Sequence, residues 1–157
     1  DPMPLLRAAL SWNFVLATAI CASLLAQLIK VLLNLFIFHR FIAERMWGAG
    51  GMPSSHSATV CAMVVATGRY CGVNSPLFAI AAVLSIIVMY DAMGVRYETG
   101  EQAKVLNRMF TEWMDQGFEQ FQLPHGKKLK EMVGHTPIEV VTGAALGIVL
   151  GFAMPMV

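Results

Sequence analysis

The chain has 157 residues, of which 57% are hydrophobic and 13% charged, with a net charge of +1. Soluble domains carry about 25% charged residues, so this composition, with a mean hydropathy of +0.62, argues against a soluble fold. It favours a single integral membrane domain over residues 1–157. A charge this close to zero gives no basis for nucleic-acid binding.

The first apolar segment has no charge between Arg7 and Lys30 and continues to Phe38. A bilayer crossing needs roughly 20 apolar residues, so the segment is long enough to span. It is also too long for a signal peptide and lacks the flanks of one, so it is expected to be retained. Polar sequence follows from His39 to Gly51. A second segment runs from about Pro53 to Gly72 with Arg69 near its far end, and a third from Pro76 to Arg96. Tyr97 to Gly134 is the most charged stretch. Ala103, Leu106, Met109, Phe110, Trp113 and Met114 recur there at helical spacing, as expected of an amphipathic helix on the membrane surface or over the bundle. Leu123-Pro124-His125-Gly126 is expected to break it. The fourth segment, Pro137 to Val157, has Glu139 as its only charge. The expected fold is therefore all-α: a polytopic membrane helix bundle with about four transmembrane helices plus an amphipathic helix. Cys21, Cys61 and Cys71 have no paired metal spacing and read as small buried hydrophobes.

Four crossings bring Lys30, His56, Asp91, Arg96, His135 and Glu139 to one side of the membrane. Of eleven Lys and Arg, only Arg7 and Arg69 fall on the other. The positive-inside rule then makes the side with the polar motifs cytoplasmic.

Two polar motifs stand at the mouths of apolar segments. One is Gly50-Gly51-Met52-Pro53-Ser54-Ser55-His56. Pro53 suits a first helical turn, which would leave the N–H groups of Ser54, Ser55 and His56 to face an anion at a positive helix end. An ordinary capped helix start explains the same residues. The other is Gly134-His135-Thr136-Pro137-Ile138-Glu139. Thr136, Pro137 and Glu139 fit a capping box; Glu139 can equally orient His135, four residues earlier, as a carboxylate orients a catalytic imidazole. Gly143, Gly147 and Gly151 continue that spacing. They imply either a close helix contact inside the bundle or, as the lesser alternative, a homodimer contact. Lys30 is a functional candidate because it is a charge in apolar sequence, with snorkelling as the alternative. Asp91 can pair with Lys30 or Arg96, position a ligand or bind a metal, although no spacing demands a metal. Lys127, Lys128 and Lys130 can meet phosphate or anionic lipid, and Lys130 is the best placed of the three.

These residues resemble the type 2 phosphatidic acid phosphatase superfamily, which includes vanadium haloperoxidases. Its ordered motifs are Lys-x6-Arg-Pro, Pro-Ser-Gly-His and Ser-Arg-x5-His-x3-Asp. Lys30, Pro53-Ser54-Ser55-His56 and His135-x3-Glu139 follow in the same order. The runs Gly-Gly-Met-Pro-Ser-Ser-His-Ser-Ala, Tyr-Asp-Ala-Met-Gly-Val-Arg and Gly-His-Thr-Pro-x-Glu-Val look like its small divergent branch. Ile37 stands where the first motif has arginine, with Arg40 a rough substitute. Ser55 replaces the glycine, Leu129 the second arginine and Glu139 the aspartate. The resemblance implies a membrane phosphoric ester hydrolase acting on a lipid phosphate monoester or diphosphate, with phosphatidylglycerophosphate favoured. His135 would be the nucleophile, Glu139 its orienting group and His56 the general acid. Lys30, Ser54, Ser55, Lys130 and Arg96 would bind phosphate, with Asp91 behind them. It implies no metal or cofactor, and magnesium dependence stays open. The implied partners are the lipid phosphate and membrane lipids. The alternative is a non-catalytic membrane protein that binds lipid head groups or anions, or a transporter component.

Overall fold

The computed structural model describes residues 13–38, 51–117, 128–131 and 133–156. Every regular element among them is helical: α1 (Phe14–Phe38), α2 (Ser55–Cys71), α3 (Pro76–Met93), α4 (Val95–Asp115) and α5 (Pro137–Ala153). This is an all-α membrane bundle. The residues from Phe14 to Phe36, and the run from Pro76 to Asp115 through α3 and α4, are long and apolar enough to cross a membrane. Helix α5 is a shorter apolar helix. Arg7, Arg40, Gly50, Lys127 and the Leu123–Gly126 break lie outside the described residues.

The pattern of side chains follows lipid rather than water as solvent. Along α1, the large residues Leu16, Ile20, Leu24 and Leu28 are exposed at four-residue spacing, while Thr18, Ala22, Ala26 and Lys30 are buried on the opposite stripe. In lipid, association gains little from burying leucine, and small residues let backbones approach for close van der Waals contact. Helix α2 is the centre and packs on α1, α3 and α5. Its Ala58 and Ala62 meet Ala22 and Ala26 in one cluster. The glycine stripe of α5 faces the same helix. A Cβ on Gly143 would collide with the Ser54 backbone, one on Gly147 with Ala58, and one on Gly151 would lie 2.7 Å from Val65 Cβ. The stripe is thus used inside the chain.

Threonine hydroxyls in these helices are satisfied locally. Thr18, Thr59, Thr67 and Thr142 each donate to the carbonyl four residues earlier, as an apolar surrounding requires. At one end of the bundle, Arg69 Nη1 donates to the carbonyls of Gly151 and Met154 at 2.6 and 2.7 Å. The histidines lie at the other end.

Three details differ from the sequence expectation. Pro53 precedes α2 instead of opening it, because Ser54 takes the cap and its hydroxyl accepts from the Ser57 N–H. The amphipathic helix starts at Val95, directly after a break at Gly94 with φ −99° and ψ −96°. Among the helices, α4 packs on α3 alone. Cys71 is exposed, whereas Cys61 is buried.

Candidate functional site

Helix α1 positions Lys30. The stripe that buries Ala22 and Ala26 continues one turn to Lys30, which is 1% exposed. Its aliphatic stem lies against Gly51, where a Cβ would sit 3.6 Å from Lys30 Cδ. No hydrogen-bond partner of its Nζ occurs among the described residues. One turn earlier, Gln27 Nε2 donates to Ser55 Oγ at 3.4 Å, and Gln27 Oε1 is buried without a partner among the described residues.

His135 enters from the segment before α5. Gly134 has φ +85°, and its backbone lies so close to Arg96 and Tyr97 that a Cβ would collide there. The His135 N–H then donates to the Ala92 carbonyl at 2.9 Å. The ring is 2% exposed. Its Nδ1 is 3.1 Å from Glu139 Oε2, and the same oxygen accepts from the Thr136 N–H at 3.2 Å. Glu139 therefore serves both readings at once, closing the helix start and orienting the imidazole.

A carboxylate facing Nδ1 favours the tautomer with Nδ1–H, which leaves a lone pair on Nε2. Nε2 is buried and has no hydrogen-bond partner among the described residues. Burial holds the His135 pKa below its ordinary value of 6.5, Glu139 acts in the opposite direction, and the positive charges of Lys30 and Arg96 add to the lowering. These influences together bias the imidazole toward its neutral form, with Nε2 turned inward.

His56 lies in the first turn of α2 and is exposed. Its ring centroid is 6.0 Å from that of His135. The two histidines that the topology assigned to one side are neighbours. Arg96, Lys30 and Asp91 all act electrostatically on His56, so the predicted charges converge on the same end of the bundle.

Several candidates are placed differently from expectation. The Ser54 N–H, expected to face an anion, donates to the Glu139 carbonyl at 3.0 Å. Its hydroxyl accepts from Ser57, and the residue is 0% exposed. Ser54 thus locks α2 to α5 and has no N–H left for phosphate. Asp91 pairs with Arg96, Oδ2 to Nε at 2.7 Å. Lys130 is exposed and is not among the charges acting on either histidine. No group of three or more metal-ligating side chains occurs among the described residues.

Sequence reasoning missed Gln27 and Asn107. Asn107 Nδ2 donates to the Leu129 carbonyl and to Glu131 Oε1, and its Oδ1 accepts from the Leu129 N–H. That fixes the chain leading to His135 along α4. A polar residue one turn before Lys30 was the available signal for Gln27; Asn107 had none beyond its place in an amphipathic helix.

Fold and site together define an α-helical membrane protein with an oriented histidine, a second histidine and a buried lysine at one end of its bundle. The chain belongs to the Divergent PAP2 family, whose model matches residues 11–150. That makes it a phosphatase-like membrane protein. It is also similar to the "Uncharacterized membrane protein YuiD" of Bacillus subtilis (strain 168), 39% identical over 144 residues that cover 88% of this chain and 91% of that relative. No solved structure matches the chain.

Proposed function

We propose that the protein is a multi-pass membrane phosphatase that hydrolyses a lipid phosphate monoester or diphosphate through a phosphohistidine. The observation that carries this reading is His135: Nδ1 on Glu139, Nε2 without a partner among the described residues, and His56 alongside. In the first step Nε2 of His135 attacks phosphorus and the bond from phosphorus to the ester oxygen breaks. His56 gives a proton to the departing alkoxide. In the second step His56 takes a proton from water, and the resulting hydroxide displaces His135 to release inorganic phosphate. Glu139 stabilises the imidazolium character that develops. Lys30 and Ser55 bind phosphate oxygens. Phosphoryl transfer depends mainly on positioning and positive charge, and a buried lysine with no hydrogen-bond partner among the described residues is placed to supply such charge. Because Nε2 is buried, the phosphate must displace a neighbouring group to reach it.

The clustering of basic residues at the motif end supports a cytoplasmic site. A cytoplasmic site suits a phospholipid-synthesis intermediate, and a phosphatidylglycerophosphate-like substrate is favoured. His135→Ala is expected to abolish phosphate release by detergent-solubilised protein while leaving its melting transition in place. Unchanged turnover would remove His135 as the nucleophile. The burial of Nε2 also favours a second reading, a non-catalytic binder of anionic head groups. Vanadate binding without turnover across a panel of lipid phosphates would select it.

A further inference from the structure

The resemblance calls for an arginine six residues before the nucleophile, and this chain has Leu129 there. The structure explains why that position has lost its role. The Leu129 N–H and carbonyl are both bonded to Asn107, each at 2.9 Å. Five residues later, Gly134 packs on Arg96 and Tyr97. Asn107 lies eleven residues from Arg96 in α4, a distance of about 16 Å along the axis. The segment therefore runs away from the histidines, and a side chain at position 129 starts far from them.

Arg96 occupies the near end of that same track. Its backbone supports Gly134, while the Ala92 carbonyl, one residue past Asp91, accepts from the His135 N–H. Among the described residues the guanidinium is anchored through Nε alone, on Asp91 Oδ2 at 2.7 Å. A guanidinium carries five donors in a rigid fork, so both terminal nitrogens can reach a second acceptor. The side chain is 47% exposed, at the rim where a head group would arrive. Its positive charge acts on both His56 and His135.

We propose that Arg96 takes over phosphate binding from the absent arginine, and that Asp91 is a positioning residue that holds its guanidinium over the histidine pair. The inference rests on the phosphate reading of the site. Fixing Nε on a carboxylate lowers the entropy lost when the terminal nitrogens grip phosphate bidentately.

The test uses the full chain in detergent and two readouts, orthovanadate affinity by calorimetry and the kcat and KM of lipid phosphate release. Arg96→Ala is expected to weaken vanadate binding about 10- to 100-fold, the effect of losing hydrogen bonds to a charged group. Asp91→Asn is expected to weaken it less and to raise KM more than it lowers kcat. Asp91→Glu should recover most of the loss, and the melting temperature should not follow these changes. Millimolar guanidinium should partly restore Arg96→Ala and leave His135→Ala inactive. Wild-type affinity in both Arg96→Ala and Asp91→Asn, with binding abolished in Lys30→Met, would overturn this inference alone. So would a loss in Asp91→Asn that tracks a lowered melting temperature and is not recovered by Asp91→Glu. A wild-type chain that neither binds vanadate nor releases phosphate would overturn the phosphate reading and this inference with it.

Discussion

Lys30→Met sets stability against function. Lys30 is 1% exposed, and its Nζ lacks a hydrogen-bond partner among the described residues. The stem lies beside Gly51, where an added Cβ would sit 3.6–4.0 Å from Cδ, Cγ and Cε, and methionine fills the same volume to that length. The substitution thus removes the ammonium while keeping the packing. A buried ammonium costs several kcal/mol even after relaxation. The Glu139 carboxylate acts on it through space and offsets part of that. A net gain of about 2 kcal/mol for the methionine variant follows, at the scale of one unsatisfied buried polar group. For a chain of this size each kcal/mol moves Tm by about 2–4 °C, so Tm should rise by about 4–8 °C. Thermal unfolding followed by circular dichroism in detergent measures it, with phosphate release assayed on the same preparations. The expected result is a more stable protein that no longer releases phosphate. A lower Tm would refute the claim that the ammonium is under-compensated. A raised Tm with wild-type turnover would refute its role toward phosphate.

Glu139→Gln keeps an acceptor for His135 Nδ1 and the Thr136 N–H but removes the charge. At about 4 Å and an effective dielectric constant of about 20 the lost attraction approaches 4 kcal/mol, so kcat should fall about 10²- to 10³-fold. Because burial holds His135 below its ordinary pKa of 6.5 and Glu139 opposes this, wild-type phosphate release should be lost as pH falls through a value under 6.5. Glu139→Gln should move that acid limb lower still, and a limb that stays in place would argue against His135 as the titrating group. Arg69→Ala loses two hydrogen bonds to carbonyls at the far end of the bundle. It should reduce stability by about 2 kcal/mol with kcat/KM unchanged; altered kinetics at wild-type Tm would contradict its remoteness. Gly143→Ala drives a Cβ into the Ser54 backbone and should cost about 1–3 kcal/mol while also lowering kcat. Ala145→Leu, at an exposed position of the same helix, should leave both unchanged within about 0.5 kcal/mol.

The sequence made the bundle readable because its signals were local. Apolar length marks the spans, Thr136 marks the start of α5, and four-residue spacing points the glycines of α5 toward a neighbour. Topology alone put His56 and His135 on one side. What stayed hidden depends on contacts distant in sequence or on backbone turned away from helical rules. Asp91 and Arg96 flank the Gly94 break, so helical spacing could not choose Arg96 over Lys30 as the partner of Asp91. Lys130 looked well placed because it lies five residues before His135. The adjacent Leu129 is held at the level of Asn107, about 16 Å along α4 from Arg96, whose backbone Gly134 meets, so nearness in sequence became distance in space. The Ser54 N–H looked available because its acceptor, the Glu139 carbonyl, lies 85 residues further along, in another helix.

The contact that consumes the Ser54 N–H also explains how packing sets the chemistry. Ser54 is two residues before His56, and Glu139 is four after His135. Joining Ser54 to Glu139 therefore fixes the two histidine-bearing helix starts against each other, and Gly143 allows the approach because nothing larger fits against the Ser54 backbone. Elsewhere in the bundle polar groups find partners, the threonine hydroxyls within their own helices and Arg69 across helices. Among the described residues, the buried atoms without partners, Gln27 Oε1, Lys30 Nζ and His135 Nε2, come from the elements meeting at this one end. Departures from local satisfaction are expected at functional sites, where binding supplies the missing partner. An acceptor, a cation and a nucleophilic nitrogen left open together match what a phosphate ester presents, namely a proton or hydroxyl, anionic oxygens and an electrophilic phosphorus. This convergence supports phosphate chemistry more strongly than either histidine motif does alone, since each motif by itself is accounted for by an ordinary helix start.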